Sequence, residues 1–432
     1  MSAWAASSRS SDSLVAKLSS ANPPASITLL PMKTFSAANW AGLCDHLESE
    51  GCGLSELSLP RPVPDDIVPR LAGILSRGDC SLRALELGDS ATGSATYAGV
   101  FSRPNSSLTS LDLCNKRLTD ASFLASLSSL ETLDLSRNMG LSLPPPGAWP
   151  APPASLDASE CGLRESSLRR LSDLASCTSL NLSSNPLLFE GAAEGALREL
   201  LRKRLSVNLS GCPLPAAQFR LGAGGFRDIG VRKLDLSGCL PADVDVALLV
   251  AAVVRARELL LCDNAKAPVG LVVESLFDAV KRGGVFPFYL EKGVEGLERL
   301  RLHNNKLKNA SEDQIAELAN ILPRIPHVDL SGNDLSAAQL LVLLEEFKAP
   351  GIACHTLELG GNGVDGRVEE SLKEVQEFNE NLDIPRDIPE NSTPMTIQGG
   401  GGTVASGGVV DSADISEMMK MAGWKTGGGG TK

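Results

Sequence analysis

A spacing of leucines limits what this chain can fold into more than its composition does. In the stretch "LERLRLHNNKL" at 297 to 307, Leu297, Leu300, Leu302, Asn305 and Leu307 follow one another at intervals of three, two, three and two. The interval of two places Leu300 and Leu302 on one face of a short strand and turns Arg299, Arg301 and His303 to the other. The same spacing returns as "LTSLDLCNKRL" from Leu108, "LETLDLSRNMG" from Leu130, "VRKLDLSGCLP" from Val231 and "CHTLELGGNGV" from Cys354. It returns with a changed first residue as "CTSLNLSSNPL" from Cys177 and "IPHVDLSGNDL" from Ile325. Degenerate copies are "LSELSL", "LRALEL", "ASLDASECGL", "LSVNLSGCPL" and "RELLLCDN", with a first trace at "SITLL". About thirteen units result, spaced mostly 22 to 30 residues apart. A single unit cannot bury its own apolar face, so the copies must stack, strand beside strand.

Amphipathic helices are expected between these strands. Trp40, Leu43, Cys44 and Leu47 recur at helical spacing, as do Ile315, Leu318, Ala319 and Leu322. Ser311 and Gln314 stand as a capping box at the start of the second helix. Asn305 falls in the turn after its strand, where a short amide can bond backbone groups that would otherwise be buried unpaired.

The unit resembles the leucine-rich repeat L-x-x-L-x-L-x-x-N/C-x-L over about residues 25 to 380. Its length and its helix resemble the ribonuclease-inhibitor-like, intracellular class. The resemblance implies an α/β leucine-rich repeat solenoid: a curved horseshoe with a parallel β-sheet on the concave face and helices on the convex face. Thirteen strands at the usual separation would line a surface of about 60 Å. The family's asparagines form a ladder along the solenoid, and Cys161, Cys212 and Cys239 stand where the pattern allows Cys for Asn. Cys114, Cys262, Cys177 and Cys354 are also placed by the repeat, so seven of the ten cysteines are expected as buried thiols rather than as redox or catalytic groups.

The expected organisation is a disordered leader at 1–24, the solenoid at 25–382, a flexible Gly/Pro/Ser/Thr-rich linker at 383–410, a short amphipathic helix or linear motif at 411–425 and a disordered end at 426–432. A net charge of -12 and a pI near 5 argue against general nucleic-acid binding, which requires basic surface to displace counterions. The N-terminus has no apolar run of signal-peptide length, and no stretch approaches eighteen unbroken apolar residues. The expectation is therefore an intracellular, cytoplasmic monomer without membrane or nucleic-acid partners, cytoskeletal association being left open. There is no C-x-x-C pair, P-loop, G-x-S-x-G or H-E-x-x-H motif, and no cofactor or metal is expected.

Three segments interrupt the repeat. "LSLPPPGAWPAPPAS" at 141 to 155 disfavours a helix, because proline lacks the backbone N–H. It is either a polyproline ligand or a rigid connection packed by Trp149. The long unit before Leu297 carries "RGGVFPFYLEKGVEG", whose Phe286, Phe288 and Tyr289 either contribute to a binding surface or fold back over the helices. In the tail, Ile415, Met418 and Met419 lie at helical spacing with Trp424 beyond, a pattern suited to a partner's groove or to this chain's own solenoid.

Candidate binding residues gather in the C-terminal third. Outward positions of the middle units are small and polar or acidic, among them Ser110, Asp112, Asp134, Asp157, Asn181 and Asn208, which leaves a solvated face without strong anchors. Further on, Arg299, Arg301 and His303 share one strand, with Leu260 expected on the strand before and His327 on the strand after. His355 follows at a side position. Guanidinium groups there can hold a partner's carboxylate or phosphate, or can pair with Asp329, Glu258 and Glu298. The expected function is a protein-protein interaction scaffold, not an enzyme. "LERLRLHNN" followed by "LELGGNGVDGRVEESLKEV" also resembles parts of the Ran GTPase-activating proteins, in which an asparagine of a similar stretch acts at the GTPase interface. That likeness implies a regulator of a GTPase with Asn304 or Asn305 in the role. A component of a cytoskeletal or other large assembly is the third expectation.

Overall fold

A computed structural model describes residues 5–6, 25–29, 36–50, 52–59, 63–87, 93–145, 147–149, 151–174, 176–193, 195–202, 204–219, 230–242, 256–267, 296–349 and 352–385. Each copy of the spacing forms a strand of three or four residues, and one two-residue strand precedes them. In chain order these are β1 (Ala5–Ala6), β2 (Ser26–Leu29), β3 (Glu56–Leu59), β4 (Ala84–Leu87), β5 (Ser110–Asp112), β6 (Thr132–Asp134) and β7 (Ser155–Asp157). There follow β8 (Ser179–Asn181), β9 (Ser206–Asn208), β10 (Lys233–Asp235), β11 (Glu258–Leu260), β12 (Arg299–Arg301), β13 (His327–Asp329) and β14 (Thr356–Glu358). All fourteen make one parallel sheet whose spatial order is the chain order. The thirteen units expected from the spacing each supply one strand, and β1 extends the sheet into the stretch expected as a leader.

Register is kept from unit to unit. Leu111, Leu133, Leu156, Leu180, Val207, Leu234, Leu259, Leu300, Val328 and Leu357 pair in one continuous column. All are buried, and the residues on either side of them keep more exposure, except that Asp329 is as buried as Val328. A slip of one residue would put this whole column in water, which is why the register holds.

The face that carries this column is closed by helices. Helix α1 (Ala37–Glu48) buries Trp40, Leu43, Cys44 and Leu47, as its spacing requires, and the Ser36 side chain accepts the Asn39 N–H at its start. Helices α2 (Val68–Leu75), α3 (Ser94–Val100), α4 (Glu165–Ser172), α5 (Ala196–Leu201), α6 (Glu312–Ile321), α7 (Ala337–Phe347) and α8 (Gly366–Phe378) complete the layer among the described residues. The Ser311–Gln314 capping box forms at α6, and Ser336 with Gln339 forms a second at α7.

Between β6 and β7 no described residue is helical. The chain crosses there in extended form, with Leu141, Leu143 and Trp149 buried. Ser142 bridges to Asp120 of the preceding unit, and the Leu143 carbonyl accepts from Arg170. Trp149 is thus part of the packing, in accord with a rigid connection. The last described segment also belongs to the sheet. Asp383 O accepts the Leu357 N–H at 2.9 Å, and Leu382 and Ile384 are buried. The chain divides into a compact unit to Ile388 and a second at Pro389–Lys432, the latter outside the described residues.

Candidate functional site

Three columns line the open face of the sheet. The first runs through Ser206, Lys233, Glu258, Arg299, His327 and Thr356, and the second through Asn208, Asp235, Leu260, Arg301, Asp329 and Glu358. In the second column an acidic or amide side chain has a local structural task. Asp112, Asp134, Asp157, Asn181, Asn208 and Asp235 each accept, through Oδ1, the N–H of the residue two positions on. Each side chain thereby holds the turn that ends its strand. The solvated, acidic face expected from the sequence is therefore in good part a row of turn acceptors.

Leu260 and Arg301 cannot make that bond. At β11 the Cys262 N–H donates instead to Ser237 Oγ of the preceding unit, at 3.2 Å. At β13 the pattern resumes, with the Ser331 N–H donated to Asp329 Oδ1 at 3.0 Å. Two adjacent units thus give up a turn-stabilising acceptor and present an apolar and a cationic group side by side.

The third column holds Cys114, Ser136, Ser159, Ser183, Ser210, Ser237, Cys262, His303 and Ser331, so His303 is the one ring among small side chains. It is only 8% exposed, and Asp329 beneath it is 2% exposed. His303 Nε2 stands 3.6 Å from Asp263 Oδ2, and Nδ1 stands 3.4 Å from Asp329 Oδ2 without a hydrogen bond's alignment. Burial opposes the charge, but the two carboxylates together outweigh it and push the His303 pKa up to about 12. Burial alone would raise both carboxyls; His303 holds Asp263 and Asp329 below their usual range, helped by Asn304 and Ser331 respectively. His303 is thus a buried cation locked between two anions. His303 shares the strand end with Arg299 and Arg301 but, unlike them, is covered by its neighbours.

Arg299 and Arg301 are different. They lie two residues apart on one strand, half-exposed, with Glu258 and His327 in register beside the first and Leu260 and Asp329 beside the second. Among the described residues no hydrogen bond or ion pair holds either guanidinium. The partners expected for them are engaged elsewhere: Glu258 with Lys233 at 3.1 Å, Glu298 with Arg257 at 3.7 Å and Asp329 with His303. His327 donates to or accepts from Thr356 Oγ1 at 3.2 Å and sets its ring edge-on to exposed His355, 6.3 Å away. Burial, then Arg299, then His355 hold the His327 pKa below the ordinary value, so that ring is neutral at physiological pH. The histidines do not converge, and no cluster suited to a metal occurs among the described residues.

Asp263 was not singled out by the spacing, although it follows Cys262 at the position opposite Asn304. The two asparagines of the "HNN" stretch separate cleanly. Asn304 is exposed, adopts a left-handed backbone (φ 55) and donates to Asp263 Oδ1 at 2.5 Å. Asn305 is buried, donating to the Leu302 and Leu261 carbonyls and accepting the Asn264 N–H at 2.8 Å. Asn138, Asn185, Asn264 and Asn333 make the same bonds, each tying its own turn to the unit before. At Cys161, Cys212 and Cys239 the thiol donates to the same carbonyl of the preceding unit. Burial pushes Cys161 and Cys212 up to about 12, so these thiols stay protonated.

This ladder, repeated along one in-register parallel sheet, decides the architecture. The described residues fold as a leucine-rich repeat solenoid. No family model matches the sequence, and no curated protein matches it. Among solved structures it is similar to the leucine-rich repeat-containing protein LegL7 from Legionella pneumophila, with 16% identity, 75% of this chain and 78% of that chain covered, and a TM-score of 0.31. The resemblance to Ran GTPase-activating proteins rests on the quoted stretches alone. Phe286, Phe288, Tyr289, Ile415, Met418, Met419 and Trp424 lie outside the described residues. No helix among the described residues is long and apolar enough to cross a membrane.

Proposed function

We propose that this leucine-rich repeat solenoid is a protein-interaction scaffold that holds a partner protein on its open face over β11 to β13. The observation that carries this reading is the pair Arg299 and Arg301. Two guanidinium groups share one strand of an acidic chain, and every carboxylate expected for them is occupied by another cation. Half-exposed guanidinium groups that hold no carboxylate by a hydrogen bond suit a counter-charge supplied from outside. The chain binds in this reading and does not catalyse, and it works in the cytoplasm.

The test is crosslinked affinity purification from native cell extract, comparing the wild-type chain with Arg299→Glu/Arg301→Glu. His303 is left intact because its replacement would strand two buried carboxylates. A partner recovered at about one tenth of its wild-type level or less, with circular dichroism unchanged, supports the reading. Equal recovery of every partner removes it.

A second reading, regulation of a small GTPase, has one observation in its favour: Asn304, beside the arginines, is exposed and held in a fixed left-handed turn. GTP hydrolysis by Ran with the wild-type chain against Asn304→Ala decides it. An unchanged intrinsic rate in both cases ends this second reading.

A further inference from the structure

The surroundings of the two arginines are asymmetric, and the asymmetry specifies a ligand. On the β11 side stand Leu260, the one aliphatic residue among the acidic, amide and cationic groups from Glu86 to Glu358 in the second column, and Glu258, already paired with Lys233. On the β13 side stand Asp329 and then Glu358, in register with one another. Glu358 keeps a buried Oε2 without a hydrogen-bond partner; burial followed by the charge of Asp329 raises its pKa, and the nearby charges of Arg301 and Arg299 only partly offset this. An anion on Arg301 therefore meets aliphatic Leu260 on one side and, on the other, the buried Asp329–His303 pair with the Glu358 carboxyl beyond it, the next strand being only about 4.8 Å away.

We propose that Arg299 and Arg301 capture a single side-chain carboxylate of an extended acidic segment of the partner protein, and that an aliphatic side chain two residues from that carboxylate packs on Leu260. This deepens the binding-surface reading above and rests on it. A carboxylate is planar, carries one charge and accepts from both arginines without reaching toward β13. A phosphate brings a second negative charge and a bulkier, tetrahedral shape to within two strands of Glu358. In an extended segment, residues two apart point to the same side, which brings the aliphatic group and the carboxylate to Leu260 and the arginines together.

The experiment measures fluorescence anisotropy of labelled peptides against the full chain. The reference probe has three Leu-Ser-Glu-Ser repeats; the others replace every Glu by Gln, every Leu by Gly, or every Glu by phosphoserine. The expected order is Glu tightest, with the Gln peptide weaker by about tenfold and the Gly peptide weaker by a few-fold. Arg301→Gln abolishes the Glu-over-Gln preference, Leu260→Ser abolishes the Leu-over-Gly preference, and Lys308→Gln, at an exposed pair with Asp334, changes neither. Tighter binding of the phosphoserine peptide, preferences that survive Arg301→Gln and Leu260→Ser, or no saturable binding of the reference peptide each overturn the proposal. If the charge-reversed chain loses its cellular partner while the peptides fail to follow this order, the binding surface stands and only the carboxylate assignment falls.

Discussion

His303 shows how one residue changes meaning with its neighbours. As imidazolium it serves two carboxylates on the units before and after its own, and so links β11, β12 and β13 electrostatically. Its pKa is raised from the ordinary 6.5 to about 12. Its contribution to stability is therefore complete below about pH 6.5 and declines as the pH rises toward 12. The depressed carboxyls act in the other direction, contributing fully above their ordinary value of 3.8 and losing that contribution as the pH falls through their native pKa values. The cluster is thus most stabilising between about pH 4 and pH 6.5. His303→Gln is expected to cost about 3 kcal/mol at pH 6 and clearly less at pH 9. Thermal melts of both chains at the two pH values check this; an equal loss at both would show that packing, not charge, is what His303 supplies.

At the scale of the element, the repeating unit is stitched to its predecessor by the asparagine in its turn. Asn333 donates to the Leu302 and Leu330 carbonyls at 2.9 and 2.8 Å and accepts the Asn305 N–H at 2.8 Å. Alanine there leaves several buried backbone groups unpaired, with an expected cost of about 4 kcal/mol. Cysteine should cost roughly half as much, because its thiol can still donate to the preceding unit's carbonyl, as Cys161, Cys212 and Cys239 do. Urea midpoints for Asn333→Ala and Asn333→Cys give the comparison, and equal midpoints would count against the shared-carbonyl account. The loss of the turn acceptor at Leu260 and Arg301 belongs to the same scale, since two whole units change their edge chemistry together.

For the whole molecule, a stack of units must end somewhere without leaving an open strand. At the C-terminal side β14 is covered by Leu382–Pro385, with the Asp383 N–H donated to His355 O at 2.9 Å and the Leu357 N–H returned to Asp383 O. Truncation after Asn381 removes buried Leu382 and Ile384 and exposes the edge. A loss of about 4 kcal/mol is expected from the two aliphatic side chains, together with self-association through the freed strand. Truncation after Ile388 keeps the cover and should melt as the full chain does. Calorimetry with sedimentation velocity distinguishes the two, and matching behaviour of both truncations would deny Leu382–Pro385 a capping role.

The spacing of Leu297, Leu300, Leu302, Asn305 and Leu307 determined by itself the strands, their parallel stacking and the buried column, because a period of two and a fixed turn leave one way to bury the leucines. It also placed the helical faces at Trp40–Leu47 and Ile315–Leu322, the capping box at Ser311 and six of its seven cysteines in the core, Cys114 keeping partial exposure. It brought Leu260, Arg299, Arg301 and His327 to one face, since register follows from the repeat. The tertiary structure decided what each of those groups can do. Burial and charge depend on contacts between units, and no spacing within a unit shows that His303 is clasped by Asp263 and Asp329, that Lys233 and Arg257 occupy Glu258 and Glu298, or that Arg299 and Arg301 keep no hydrogen-bonded carboxylate among the described residues.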